Sequence, residues 1–283
     1  MNISLGENLV SVVIPCFNDK PEHIQECIKS VLSQSYPRVE IVVVDDGSTD
    51  PGTKDALRSL PESVHLVRSE NRGPSAARNL GISKSAGVFI LPLDADDWIN
   101  PQFVAAAVGV ALDRDVQIAY PDVQEFGASC RLKRPPQVIT LADLVSSNLI
   151  ASCALFPRAR WAEVGGYDES LRHGFEDYEL WVRLLRDGGA ARKAIPAVLH
   201  YRQRDSSRRS DLAVADALAI TRAKILTNNK EHLHTLLTAA WERTDALSVE
   251  VGKAWNDPLQ LRRWLRWTKP ASAYVRRGFS RFG

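Results

Sequence analysis

No stretch of this sequence approaches the ~20 consecutive apolar residues that a membrane-spanning helix needs. A basic opening followed by an apolar core is missing too. MNISLGENLV leads straight into a strand pattern, so a cleaved leader is not expected and a cytoplasmic protein is. Cysteine is scarce. Cys16, Cys27, Cys130 and Cys153 make no C-x-x-C pair and no His-rich stretch joins them, which argues against a zinc module. They read as free thiols packed as small hydrophobes. An excess of one charge is lacking as well: 36 Lys and Arg face 34 Asp and Glu, so overall charge indicates no nucleic-acid partner. No G-x-G-x-x-G follows the first strand, which counts against a dinucleotide dehydrogenase. No G-x-x-x-x-G-K-[ST] occurs either, which counts against a P-loop ATPase.

What remains is ordinary globular material, 45% hydrophobic and 25% charged, enough for one large α/β domain with an appendage. Leu9 to Ile14 is a β-branched apolar run closed by Pro15, the pattern of a fully buried strand. In PEHIQECIKSVLSQSY, Ile24, Cys27, Ile28, Val31 and Leu32 form a helical stripe, and Pro21 suits its first turn. Glu40 to Val44 is a second strand, running into the turn DDGSTD, where Gly47 supplies a left-handed position. A helix over Thr53 to Leu60, a strand over Val64 to Val67, a helix from Pro74 to Lys84 and a strand over Val88 to Leu93 follow. This alternation predicts a mostly parallel sheet with helices on both faces. Ligands of such sheets sit beyond the carboxyl ends of the strands. Asp45–Asp46 and Asp94/Asp96/Asp97 both fall there, and two acidic clusters at one edge call for a bound cation.

Further on the pattern weakens from Tyr120 to Pro136. Asn148 to Phe156 reads as a strand, Glu176 to Arg186 as a helix stopped by Gly188–Gly189, and Val198 to Arg202 as a last short strand. Beyond Leu212 all is helical. The predicted division is therefore 1–210 and a helical extension, 211–283.

Three groups of residues carry chemistry. Asp94 and Asp96 alternate at a strand end, so their side chains share a side. Oxygen-only ligands suit Mg²⁺ or Mn²⁺ held by one or two carboxylates together with substrate phosphates. The plainer reading is an acidic turn in which Asp97 caps the next helix. In GPSAARNLG, the small residues Ser75, Ala76 and Ala77 let a helix come close to a nucleotide, and Arg78 contacts phosphates or the acidic clusters; a surface arginine is the plainer alternative. In GFEDYELWVRL, Asp177, Trp181 and Leu184 share one helical face, while Glu176 aligns with Glu179 and Arg183 on a solvated one. A carboxylate at a helix N-terminus is kept ionised by the dipole and free N–H groups, which suits a general base; capping alone is the plainer role.

SVVIPCFND, VVVDDGSTD, NRGPSAARNLGISKSAG, FILPLDADDWINP and GGYDESLRHGFEDYELWVRL occur in this order from Ser11 to about Arg204. Together they closely resemble the family 2 inverting glycosyltransferases of GT-A fold, a Rossmann-like nucleotide-diphospho-sugar transferase architecture. The resemblance implies a nucleotide-sugar donor, with uridine favoured as base, and a glycan or lipid-linked acceptor, in cell-surface polysaccharide synthesis. It implies Mn²⁺ or Mg²⁺ on Asp96, with Asp94 at the ribose or in the metal's shell. Asp46 would read the nucleobase, flanked by the backbone from Pro15 to Phe17, and Asp177 would be the base. In LHYRQRDSS, relatives place a His or Arg against the diphosphate or metal; His200, Arg202 and Arg204 are the candidates here. Glu176 is a further candidate for an acceptor contact. The alternative in another class is a catalytically silent nucleotide-sugar-binding or scaffolding protein; a nucleotidyltransferase lacks its Gly-rich phosphate loop here.

The end of the chain, DPLQLRRWLRWTKPASAYVRRGFSRFG, interleaves Arg262, Arg263, Arg266, Lys269, Arg276, Arg277 and Arg281 with Trp264, Trp267, Tyr274, Phe279 and Phe282. That composition suits a helix lying on the inner, anionic face of a membrane, or one packed on its own domain or a partner.

Overall fold

A computed structural model describes residues 8–172, 174–203 and 211–255, with side chains at all of these but 211–213 and 251–255. The first half alternates as the sequence predicts. The strand β1 (Val10–Cys16) leads to α1 (Pro21–Leu32), β2 (Val39–Asp46) to α2 (Pro51–Arg58), and β3 (Val64–Ser69) to α3 (Pro74–Lys84). Then come β4 (Phe89–Pro92), β5 (Trp98–Ile99) and α4 (Phe103–Ala111). Local chemistry sets the boundaries. Pro21, Pro51 and Pro74 each stand in the first turn of their helix, where a missing N–H costs nothing. Asp50 caps α2 by accepting from the Thr53 N–H at 2.8 Å.

The second half contains β6 (Val116–Gly127), β7 (Leu132–Lys133), β8 (Val138–Ile139), α5 (Leu141–Leu144), β9 (Phe156–Pro157), α6 (Arg158–Glu163), α7 (Glu176–Leu185) and β10 (Ala190–Gln203). Two long helices, α8 (Asp211–Asn228) and α9 (Leu233–Trp255), follow. Three readings are corrected here. The weak region from Tyr120 holds most of β6, whose Asp122 is a strand residue neutralised by Lys193 at 3.0 Å. Of the strand expected over Asn148 to Phe156, only Phe156 is in a strand, with one isolated bridge from Leu155 to Ala119. The short last strand is a 14-residue one, β10, broken by a register shift between Lys193 and Val198.

One sheet has the order β3-β2-β1-β4-β9, parallel from β3 to β4 with β9 antiparallel at its edge. The other runs β5-β10-β6-β7, with β10 and β6 parallel and β5 and β7 antiparallel at the edges. The main core lies between β1, β2 and β4 on one side and α1 and α4 on the other, and it continues into β10 through Leu199. A second core gathers on Trp181, Tyr178, Tyr120 and Phe156. The helix α3 lies close on the parallel sheet because Gly81 carries no side chain. A Cβ there would stand 2.4 Å from Val13 Cγ1 and 2.9 Å from Val44 Cγ2. Ala77, on the same helix, packs with Val42 and Val44 of β2. Ala77 and Gly81 of α3 thus serve close contact with the sheet. At the far end, α9 packs on α5 and α8 on α7. No described helix is long and apolar enough to cross a membrane. The basic aromatic tail and Arg204 lie outside the described residues.

Candidate active site

Three strands deliver their ends to one edge of the parallel sheet: β1 at Cys16, β2 at Asp46, and β4 followed by Asp94, Asp96 and Asp97. Phe17 leaves β1 with 45% of its surface exposed, a free aromatic face at this edge. Pro15 lies within β1, partly buried and paired with Val44. Gly47 adopts the left-handed conformation expected of it, φ 74°, with the Asn71 backbone N 2.7 Å from where a Cβ would stand. Asp46 is buried. Its two oxygens accept from the Arg72 N–H at 3.0 Å and the Gly73 N–H at 2.8 Å. Its first task is therefore to tie the start of α3 over the sheet edge.

Asp94 is partly exposed and meets Arg78 Nη2 at 2.7 Å and the Ser152 hydroxyl at 3.3 Å. Asp97 does not cap a helix. It is buried and accepts from the Arg202 N–H at 2.8 Å. Burial, and then Asp94 and Asp96, push its carboxyl well above the usual range. Arg202 binds this loop through its backbone and through Nε, which donates to the Asp96 carbonyl at 2.9 Å, while Nη2 pairs with Glu26 of α1. Its guanidinium thus ties the loop after β4 to α1.

The first turn of α7 brings the second half of the chain to this edge. Phe175, at φ 64°, turns the chain into the helix in a conformation unusual for a bulky residue. Asp177 accepts from the Tyr178 N–H at 2.8 Å and faces Asn148 Nδ2 at 3.5 Å. The expectation of a carboxylate held ionised at the helix end is corrected. Burial, and then the neighbouring Glu176, raise it to about 7, outweighing the Tyr178 N–H, Arg78 and Asn148. The solvated face drawn through Glu176, Glu179 and Arg183 is corrected too: all three are buried. Arg183 Nε donates to Glu179 at 2.6 Å and its Nη1 to the Val164 carbonyl, while Asn228 of α8 donates to Glu179 at 3.0 Å. Glu176 pairs with Arg78 at 2.5 Å. Arg78 is thus not a surface residue; it is 3% exposed and joins Asp94 to Glu176.

His200 stacks on Trp98, ring centres 3.3 Å apart; burial lowers its proton affinity and the Glu26 charge opposes this. Its ring contact is with Trp98, and it makes no described contact with Asp94 or Asp96. Alternation along β10 gives the carboxylate side to Tyr201, which burial and then Asp97, Asp94, Asp96 and Asp177 raise to about 12. Tyr201 was missed by sequence reading, although its shared face with Leu199 was there to be counted. Asn148 and Ser152 were missed because their segment is irregular. Among the described residues no three His, Cys, Asp or Glu side chains form a ready-made metal cage. Asp94 and Asp96 nonetheless fit a hard cation, since Mg²⁺ is commonly held by one or two carboxylates plus substrate phosphates. Cavities of about 530 and 500 Å³ open behind α3 and beside α7, but none of these carboxylates lines them.

The profile of glycosyl transferase family 2 matches residues 11–162, just over half of the chain. The chain belongs to glycosyl transferase family 2. A Rickettsia felis relative, an uncharacterized glycosyltransferase, is 34% identical over 191 residues, covering 63% of this chain and 31% of the relative. Glycosyltransferase GlyA of Streptococcus pneumoniae is 31% identical over 128 residues, 44% of this chain and 18% of that one. The chain thus spans about a third or less of these family 2 relatives. Among solved structures, residues 1–349 of Staphylococcus aureus TarS in complex with UDP-GlcNAc superpose with a TM-score of 0.64 at 20% identity, covering 86% of this chain and 76% of that one. The family and this likeness establish the GT-A fold expected from the sequence.

Proposed function

We propose that this chain is a metal-dependent, inverting glycosyltransferase that moves a sugar from a UDP-sugar to a hydroxyl of a glycan or lipid-linked acceptor. The observation that carries the reading is the meeting of Asp94 and Asp177, from opposite halves of a family 2 chain, through the shared partners Arg78 and Glu176. Phe17, Pro15 and Asp46 form the end where the base and ribose lie. Asp96 and Asp94 would hold Mg²⁺ or Mn²⁺, which would supply positive charge against the departing diphosphate. Asp177 accepts the proton of the acceptor hydroxyl as that oxygen bonds to the anomeric carbon and the bond to the diphosphate breaks. Attack from the face opposite the leaving group inverts the configuration. No covalent sugar–enzyme bond is needed. TarS has been solved with UDP-GlcNAc and with UDP, which supports uridine as the base. Residues 1–210 would carry this chemistry, and the extension from 211 is helical as far as it is described, to Trp255. The basic aromatic tail supports an acceptor met at the inner, anionic face of a membrane, as in surface polysaccharide synthesis.

Asp177→Asn keeps the shape of the site and removes the base. It is expected to leave nucleotide affinity nearly unchanged and to abolish transfer, since general bases contribute roughly 10²–10⁴-fold. Transfer surviving within about tenfold would remove Asp177 from this role.

A further inference from the structure

Between the donor-side carboxylates and the base helix lies a charged triplet, Arg78 and Glu176 buried and Asp94 partly exposed, whose centre the reaction above leaves without a task. Arg78 of α3 donates Nη2 to Asp94 at 2.7 Å and Nη1 to Glu176 at 2.5 Å. Its guanidinium carbon stands 5.6 Å from the centre of the Tyr167 ring. Three separate parts of the chain meet on one planar group: α3, the loop after β4 and the first turn of α7. Arginine suits such a place because its donors form a rigid fork that a lysine does not reproduce. Burying charges of this kind is weak evidence for stability, since apolar residues of the same size often serve as well. What the fork adds is a fixed distance between two acids that would otherwise repel.

We propose that Arg78 is a positioning residue, clamping the first turn of α7, and with it Asp177, against the donor-side carboxylate Asp94. This rests on Asp177 being the base. Glu176 is the residue beside that base, so the clamp is also electrostatic. The groups around Asp177 are Glu176 and the Tyr178 N–H on α7, Arg78 on α3, Asn148, Tyr167 and, on β10, Tyr201. Glu176 raises its proton affinity and Arg78 lowers it. The two variants Arg78→Gln and Glu176→Gln should therefore move the titration of Asp177 in opposite directions, although both break the same ion pair. A role in stability that does not reach Asp177 would move neither.

The test needs no substrate. Each background is compared with its own Asp177→Asn counterpart by thermal or urea unfolding across pH 4–9. Asp177 favours folding fully only below its unfolded pKa, near 3.9. The advantage of Asn therefore grows as pH rises and levels off where the folded carboxyl ionises, about 7 in the unaltered protein. With Glu176→Gln the levelling pH is expected to fall, and with Arg78→Gln to rise, each by about one unit. Arg78→Lys should lie between wild type and Arg78→Gln. If Arg78→Gln does not fold, the Glu176→Gln and Arg78→Lys pairs carry the test. A levelling pH that is the same in all backgrounds overturns the clamp, as does a shift of the same sign for Glu176→Gln and the Arg78 variants. Failure of the base itself shows separately, as transfer surviving Asp177→Asn. That outcome leaves these titrations intact.

Discussion

Asp177 is a carboxyl group with a proton affinity suited to taking a proton near neutrality. Burial raises it first and Glu176 adds to that, so it is half ionised at about pH 7 rather than at the usual value near 3.9. Only the ionised form accepts a proton. The rate of transfer is therefore expected to rise with pH and to bend over at about 7, with the acid limb read from kcat/KM between pH 5 and 9. A rate already flat above pH 5 would contradict the assignment. The same shift acts on stability with the opposite sense, since ionising Asp177 in the folded state is unfavourable and its contribution is lost as pH rises through about 7. At this scale the positions of Asp94, Asp96 and Asp177 were legible as carboxylates at a strand end and a helix start. Their partners were not. Arg78 looks like any helix arginine until α7 arrives with Glu176, from 98 residues away. His200 and Tyr201 are separable only by the two-residue alternation of β10, which the short strand read from the sequence left unanchored.

The elements explain which parts of the fold a sequence pattern carries. Where a strand is buried on both faces, as in β1 and β2, the β-branched run is unbroken and the reading succeeds. Where a strand holds paired charges, as β6 does with Asp122 and Glu125 against Lys193 and Lys133, the pattern is lost although the strand is long. The helix α7 misled in a related way. Its polar stripe looked solvated because helix periodicity reports charge, and it does not report that α8 and the Val164 loop would cover that charge with a buried Glu179–Arg183 pair. The helix α3 offers the sharpest test of packing. Gly81→Ala places a methyl group against Val13 and Val44 of two strands that end at the site. Overpacking of this kind costs about 1–3 kcal/mol, a loss of several degrees in Tm for a chain of this size. An unchanged Tm would mean that α3 rides higher on the sheet than described.

At the scale of the whole molecule, the family 2 profile ends at residue 162, before α7, so Asp46, Asp94 and Asp96 lie within the matched region and Asp177 beyond it. The two halves are joined at the level of side chains, by Arg78 between Asp94 and Glu176 and by Asn79, whose amide nitrogen donates to the Tyr167 carbonyl at 2.9 Å and whose amide oxygen accepts from the Tyr167 N–H. The edge where they meet gathers Asp94, Asp96 and Asp97, and burial, then Asp94 and Asp96, push the Asp97 carboxyl above its usual range although Arg202 opposes this. On the proposed function, a divalent cation would offset this acidic edge and the diphosphate together, so neither cation nor nucleotide is expected to bind well without the other. The most direct test is a thermal shift with UDP, with and without Mn²⁺, on the wild-type chain and on Asp96→Ala. At about 100 times Kd, binding adds roughly 2.7 kcal/mol, several degrees in Tm. The account predicts a shift with UDP that needs Mn²⁺ and is lost in Asp96→Ala. Equal shifts with and without Mn²⁺ in both proteins, or none with UDP, GDP, dTDP or CMP, would contradict it.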